Sequence, residues 1–373
     1  MRCLFITETA RREQSRHMLY NYLYQSLSQN NIEFSILAFM ESGDEPILSD
    51  IGLKAPVKSI GRAFLKRSSI FKFWSSLNAH RPGHLLIGGY GYIESWLALI
   101  YSIINKVPVT FWTGAGNETT ISDSKFKLFL KKIFVKNIDT AITYGSNASA
   151  YLIKLGVDSK KIFNAINVSD TKYFKRILAS YLDSKEMLSR VGSLSRPILI
   201  FSGRLEESKG VNLLIEQLKL IPPSNYFCYF IGKGSLSNNI SECIRSKEIN
   251  GELLGYLPQE EVAKCLVQAD VYILPSLNDP FSRTLSEALA SGCFVLNSKH
   301  DDASFDLIKQ GKNGYIFDPN NFEEFKMYIE MVTDGKWKRP SRIKISNNFK
   351  YDMAGYANLI SNSILESLER YKD

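Results

Sequence analysis

The feature that most constrains this chain is an alternation. Short apolar runs rich in Val, Ile, Phe and Tyr are separated by longer stretches with helical periodicity, and the series runs through the chain twice. Continuous apolar runs of strand length, each followed by a helix, are what a parallel sheet covered on both faces requires. In the first series strands are expected at Cys3–Thr7, Glu33–Ala38, His84–Ile87, Val107–Phe111, Thr140–Thr143 and Ile162–Ala165. Helices are expected at Ser15–Gln29, Tyr92–Ile104, Lys125–Val135 and Ala148–Leu155. The second series has strands at Ile198–Ser202, Tyr226–Ile231, Glu252–Leu254, Val271–Pro275 and Phe294–Leu296, with helices at Gly210–Leu220, Gln259–Gln268, Thr284–Ala290 and Phe322–Val332. Between the two lies Lys172–Pro197, which carries no strand pattern, is helical or irregular, and ends on Ser195-Arg196-Pro197 immediately before a fresh apolar run, as a linker does.

Two Rossmann-like halves follow, expected at residues 1–175 and 190–350, with a separate helix over 351–373 whose Ile360, Ile364, Leu365 and Leu368 share one side. A chain of 373 residues suits two such domains. Cys3, Cys228, Cys243, Cys265 and Cys293 are widely spaced and form no C-x-x-C pair, which points away from a disulfide framework or a zinc site and toward a reducing compartment. The N-terminal MRCLFITETARREQ places a short apolar run between Arg2 and the basic Arg11, Arg12 and Arg16, so it reads as a strand and not as a signal peptide. Trp96–Ile104 is the longest apolar candidate for a membrane span and falls well short of ~20 residues, so any membrane association is expected to be peripheral.

Two segments carry chemistry. Phe201-Ser202-Gly203-Arg204-Leu205, followed by Lys209-Gly210, ends a strand on a glycine turn and sets two cations about the start of a helix. Arg204 and Lys209 would supply charge to an anion, and free backbone N–H groups at the helix start would supply hydrogen bonds. The same residues also fit an ordinary turn and a solvated cap. The second segment runs from Pro275 to Gly292, PSLNDPFSRTLSEALASG, after a strand and into a helix. Ser282 and Thr284 are small enough to bring backbone N–H groups against a phosphate. Asp279 stands before the turn, and Glu287 lies about a turn inside the helix. One carboxylate can face a sugar ring while the other accepts hydrogen bonds from a ribose. The plainer reading is a capped helix with a buried Glu.

Together these segments resemble family 4 glycosyltransferases, the retaining nucleotide-sugar enzymes of the GT-B fold that build bacterial polysaccharide and lipopolysaccharide. The resemblance rests on FSGRLEESKGVNLLIE, FIGKG, GYLPQEEVAKCLVQADVYILPS, DPFSRTLSEALASG and GKNGYIF, reaches back through YGSNASAYLIKLGVDSKKIFNAINVSDTKYF, and covers roughly residues 84–330. It implies an α/β GT-B architecture: two Rossmann-like domains facing across a cleft, acceptor in the first and donor in the second, with the C-terminal helix crossing back to the first domain. Arg204 and Lys209 would bind the donor diphosphate. Asp279, with Phe281 and Ser282, would contact the donor sugar, and Glu287 the ribose. Arg283 and Thr284 fall where donors approach phosphate, Gly203 and Gly232 line the donor loops, and the base is expected near Leu254 and Tyr256. The implied mechanism is retention without metal or other cofactor, Arg204 and Lys209 stabilising charge on the departing phosphate. A UDP-sugar is expected ahead of a GDP-sugar.

The chain departs from the family pattern in places. Asp279 replaces the usual Glu, Gln14-Ser15 stands where many members have Gly-Gly, and Trp112 or Thr113 stands where many have His. His17, His80, His84 and His300 lie elsewhere. The loop around Gly114, Asn117 and Glu118 is then expected to line the acceptor cleft, or the last two to cap the following turn.

The charge is lopsided. Residues 1–190 hold 25 Lys and Arg against 15 Asp and Glu, and residues 191–373 hold 21 against 23, so the overall +8 belongs to the first half. GRAFLKRSSIFKFW, with Arg62, Lys66, Arg67 and Lys72, and KFKLFLKKIFVK, with Lys125, Lys127, Lys131, Lys132 and Lys136, set cations among large apolar groups. Such faces suit an anionic membrane surface, and equally an amphipathic helix with a solvated basic side. No nucleic-acid module is present. With the polysaccharide context that the resemblance implies, the expected activity is transfer of a sugar to a lipid-linked glycan by a cytoplasmic enzyme, peripheral on the inner face of the membrane. A small soluble acceptor, or an inactive sugar-binding partner protein, is the alternative.

Overall fold

The structure, a computed structural model, describes residues 1–8, 14–40, 52–61, 67–116, 124–183 and 196–371. It divides into two units, Met1–Asn167 with Met353–Asp373, and Val168–Asp352.

The first unit is a seven-stranded parallel sheet. Its strands are β1 (Arg2–Glu8), β2 (Glu33–Met40), β3 (Val57–Gly61), β4 (His84–Gly88), β5 (Val109–Thr113), β6 (Thr140–Thr143) and β7 (Ile162–Asn164), in the order β3-β2-β1-β4-β5-β6-β7. Alternate side chains of each strand enter different cores, as period-two geometry dictates. Leu4 and Ile6 join Phe73, Leu77, Leu99, Phe134 and Leu152 under the helices Arg67–His80, Ile93–Asn105, Lys125–Lys136 and Ser146–Leu155. Cys3 and Phe5 join Leu19, Leu23, Tyr356, Ile360 and Ile364 under the helices Gln14–Gln29 and Met353–Arg370. The C-terminal helix does return to the first unit, and polar contacts fix its register. The Trp112 indole donates to the Tyr356 hydroxyl at 3.1 Å, and the Thr140 hydroxyl to the Ser363 carbonyl at 2.9 Å. Buried His84 lies 3.0 Å from Thr110 Oγ1, 3.2 Å from Ser367 Oγ and 3.4 Å from Cys3 Sγ. Burial lowers its pKa to about 3.

The second unit is a six-stranded parallel sheet of β8 (Ile198–Ser202), β9 (Phe227–Ile231), β10 (Gly251–Gly255), β11 (Val271–Leu274), β12 (Phe294–Ser298) and β13 (Gly314–Phe317), ordered β10-β9-β8-β11-β12-β13. The chain order reverses between β8 and β11. In open α/β sheets that switch point, outside the carboxyl ends of the strands, is where ligands bind.

The edge strands β3 and β13 were not expected. VKSIG is short and half polar, with Lys58 exposed, so it carries little strand signal of its own. The division of the chain also differs from the expected linker at 172–197. Thr171–Leu182 is an amphipathic helix, capped by the Asp170 side chain on the Tyr173 N–H, and its Leu178 and Tyr181 pack on Val267. It therefore belongs to the second unit, which begins at Val168 and not near 190.

Candidate functional site in the second unit

The loops after β8, β9, β11 and β12 converge at the switch point, and backbone contacts too close for any side chain hold them there. The Gly203 N–H donates to the Ile231 carbonyl at 3.0 Å and the Leu205 N–H to the Lys233 carbonyl at 3.1 Å. A Cβ on Gly232, at φ +138°, would stand 1.8 Å from the Gly203 oxygen. One on Gly210, at φ +65°, would stand 1.8 Å from the Pro275 oxygen. Both positions thus need glycine twice over, for conformation and for space. The Leu277 N–H, at 2.9 Å, and the Ser276 hydroxyl, at 3.2 Å, both donate to the Ser208 carbonyl. This ties the short turn Glu207–Lys209, which precedes the helix Val211–Lys219, to the loop after β11.

The consequence is a contact across 70 positions of sequence: the Lys209 ammonium forms an ion pair with the Asp279 carboxylate. Their side chains are only 14% and 11% exposed, so the pair is screened far less than a surface pair. Asp279 Oδ1 also accepts the Phe281 N–H at 3.1 Å, and the Asp279 N–H donates to the His300 carbonyl at 2.9 Å.

Asp301, after β12, completes the arrangement, and sequence reasoning missed it. It is fully buried and accepts the Ser282 N–H at 3.1 Å, the Ser282 hydroxyl, the Asn297 amide at 2.7 Å and the Ala303 N–H at 3.0 Å. Burial, and after it the charge of Asp279, raise its pKa to about 6, against the pull of these hydrogen bonds. The acidic doublet Asp301-Asp302 just past an expected strand was the available signal. Ser282, expected to present its N–H to a phosphate, spends both N–H and hydroxyl on Asp301, so the helix Arg283–Ala290 starts from a residue anchored to the loop after β12.

The other expected residues fall around this centre. Glu287, half-buried one turn into that helix, accepts the Ser169 hydroxyl at 2.6 Å, and the Ser169 N–H donates to Ser286 Oγ at 3.1 Å. Ser169 carried no local signal. Thr284 Oγ1 lies 2.7 Å from the buried Tyr272 hydroxyl, whose pKa burial raises well above its usual value. Phe281 is buried, and Arg283 is half-buried at the helix start. Arg204 points elsewhere: its guanidinium is 67% exposed and donates to Glu206 at 2.8 Å. Leu254 is half-buried and Tyr256 exposed beside the Gly232 loop, joined to it by the Gly232 N–H on the Gly255 carbonyl at 2.8 Å. Gly114 follows β5 in the first unit, where a Cβ would stand 2.1 Å from the Tyr144 ring. Asn117 and Glu118 lie outside the described residues, as do Arg62 and Lys66.

With this geometry in hand, the comparisons are specific. Residues 184–350 match the family model of glycosyl transferases group 1. The amylovoran biosynthesis glycosyltransferase AmsK of Erwinia amylovora is 31% identical over 155 residues, 39% of this chain and 38% of that protein. The UDP-Gal:alpha-D-GlcNAc-diphosphoundecaprenol alpha-1,3-galactosyltransferase of Escherichia coli is 27% identical over 210 residues, 53% of this chain and 50% of that protein. The chain thus spans about half the length or less of these curated relatives. Among solved structures, the lipopolysaccharide outer core galactosyltransferase WaaB in its apo form superposes with a TM-score of 0.74, at 17% identity, over 98% of this chain and 99% of that one. The fold is GT-B.

Proposed function

We propose that this chain is a retaining glycosyltransferase that moves a sugar from a nucleoside diphosphate donor, a UDP-sugar first, to a lipid-linked cell-surface glycan. The observation that carries the reading is the Lys209–Asp279 pair, held at the switch point of the unit that matches the group 1 transferases. The activity for which the Escherichia coli relative is named, on a UDP-linked donor and a diphosphoundecaprenol-linked acceptor, supports the reading.

On this reading Lys209 and Arg204 bind the diphosphate. Arg204, exposed and paired among the described residues with Glu206 two positions away, can swing onto it at little cost. The bond from the anomeric carbon to the phosphate oxygen breaks, and negative charge grows on the departing diphosphate. Fixed cations stabilise that charge more in the transition state than in the ground state, with no metal invoked. The acceptor hydroxyl forms its bond to the anomeric carbon on the same face and gives its proton to the leaving phosphate. Asp279 and Phe281 face the sugar, Glu287 binds the ribose, and Leu254 and Tyr256 flank the base. Acceptor recognition belongs to the first unit, with Gly114, Asn117 and Glu118, and the chain works peripherally on the anionic inner face of the cell membrane.

The test is turnover of UDP-, GDP- and dTDP-sugars with an undecaprenyl-diphosphate-linked sugar as acceptor. Transfer with the anomeric configuration kept, and its loss in Lys209→Ala and Arg204→Ala, is the expected result. Inversion of configuration, or no turnover of any donor, would refute it.

A further inference from the structure

The first unit carries a surface that the donor site does not explain. Helices Arg67–His80, Ile93–Asn105 and Lys125–Lys136 lie side by side on one face of its sheet, Trp74 against Tyr101 at 5.4 Å between ring centroids and Trp96 against Phe134 at 5.0 Å. Each sends part of its apolar set into the core. Each also leaves large apolar side chains outside it, namely Phe71, Ile100, Ile103, Ile104, Phe126 and Phe129, with Phe71 at 73%, Phe126 at 68% and Ile104 at 63% exposure. In Lys125–Lys136 only Phe134 and Val135 are buried, so the reading of that segment as an ordinary helix with a purely solvated basic side does not account for its phenylalanines.

Charge identifies the occupant. The middle helix has no cation within its span, and its outward isoleucines are bracketed by Lys72 on one neighbour and by Lys125, Lys127, Lys132 and Lys136 on the other, all exposed. The three helices contain one acidic residue, Glu94, and it is buried. An apolar stripe rimmed by cations with no exposed carboxylate repels a second copy of itself and complements a surface that is apolar within and anionic at its rim. No described helix is long and apolar enough to cross a membrane.

We propose that this three-helix face docks the chain on an anionic bilayer, with Ile100, Ile103 and Ile104 at the acyl boundary and the flanking lysines on lipid phosphates. The proposal narrows the peripheral location given above to one face and one middle helix. It rests on the transferase reading only for its biological setting.

Flotation of the full chain with vesicles of about one third phosphatidylglycerol in phosphatidylcholine tests it, with pure phosphatidylcholine as the comparison. Expected are binding that salt weakens, at least ~10-fold weaker partition to the neutral vesicles, and a loss of the same size in Ile103→Ser/Ile104→Ser and in Lys132→Glu/Lys136→Glu. These side chains are exposed, so UDP affinity and the unfolding midpoint should stay at the wild-type value. Equal binding by the variants, no binding by the wild type, or dimerisation that the same substitutions abolish would each overturn the proposal. Failed flotation with donor turnover intact sinks the docking face alone; intact flotation with no donor turnover sinks the transferase reading alone.

Discussion

Asp279→Asn should strengthen nucleotide binding while weakening the empty protein, a pair of opposite signs that only the Lys209–Asp279 contact predicts. In the structure the Lys209 ammonium is already neutralised by a neighbour as little exposed as itself. A diphosphate that shares this ammonium brings a phosphate oxygen to roughly 5 Å from the carboxylate, where two unit charges at an effective dielectric of about 20 repel by about 3 kcal/mol. Residual solvent and the approach of Arg204 reduce this, leaving about 1–3 kcal/mol, or roughly 5- to 150-fold tighter UDP binding once the carboxylate is an amide. Without UDP, the same change strands a half-desolvated ammonium and should cost about 1–3 kcal/mol of stability in the second unit, less than for a fully buried pair. Calorimetric titration with UDP at two salt concentrations and urea unfolding measure the two halves. Sugar transfer should fall, since the amide carries no charge toward the sugar. UDP binding that is unchanged or weaker in Asp279→Asn, with Lys209→Met showing a clear loss, would refute the argument.

Two buried groups should give the units opposite responses to pH. The Asp301 carboxyl keeps its proton to about pH 6 when folded and to about 4 when unfolded, so its contribution falls as pH rises across that window. Asp301→Asn should flatten that slope in urea unfolding of the second unit, followed by the near-UV signal of Trp337, and an unaltered slope would count against the assignment. His84 titrates near 3 when folded and near 6.5 when unfolded, so its contribution is complete above 6.5 and is lost as pH falls toward 3. His84→Gln should remove that acid limb, read by the fluorescence of Trp74, Trp96 and Trp112, all in the first unit. Arg342 is buried and donates to the Val267 carbonyl at 2.6 Å, the Gln268 carbonyl at 3.1 Å, the Ala269 carbonyl, and Asp270 at 3.3 Å. Arg342→Ala should lower second-unit stability by ~3–5 kcal/mol, with Arg342→Lys recovering only part of it, and a change under ~1 kcal/mol would contradict this.

The sheets were legible because buried parallel strands are written as continuous apolar runs, and nearly every central strand falls within a residue or two of its expected place. Edge strands such as Val57–Gly61, half polar and half solvated, lack that signature. The segment that holds the helix Thr171–Leu182 reads as a linker because it carries no strand pattern and runs on to Ser195-Arg196-Pro197, and nothing local to it says which sheet its Leu178 and Tyr181 join. At the site, Lys209, Asp279 and Glu287 were visible one by one, as charges beside turns and helix starts. That Lys209 holds Asp279, that Asp301 takes up Ser282 and that Ser169 meets Glu287 were not, because each pairing depends on strand order, which no local window encodes.

The return of the helix Met353–Arg370 to the first sheet sets an order of events at the ribosome. The first unit begins with β1, before any of the second unit is made, yet the face holding Phe5, Leu86 and Trp112 has only the helix Gln14–Gln29 over it until a helix some 185 residues beyond Asn167 has emerged. The second unit, continuous from Val168 to Asp352, meets no such delay. The half begun first is thus the half finished last, and a chain stalled or cut before Met353 would leave a complete second unit attached to a first unit with part of one sheet face open to chaperones, proteases and other nascent chains.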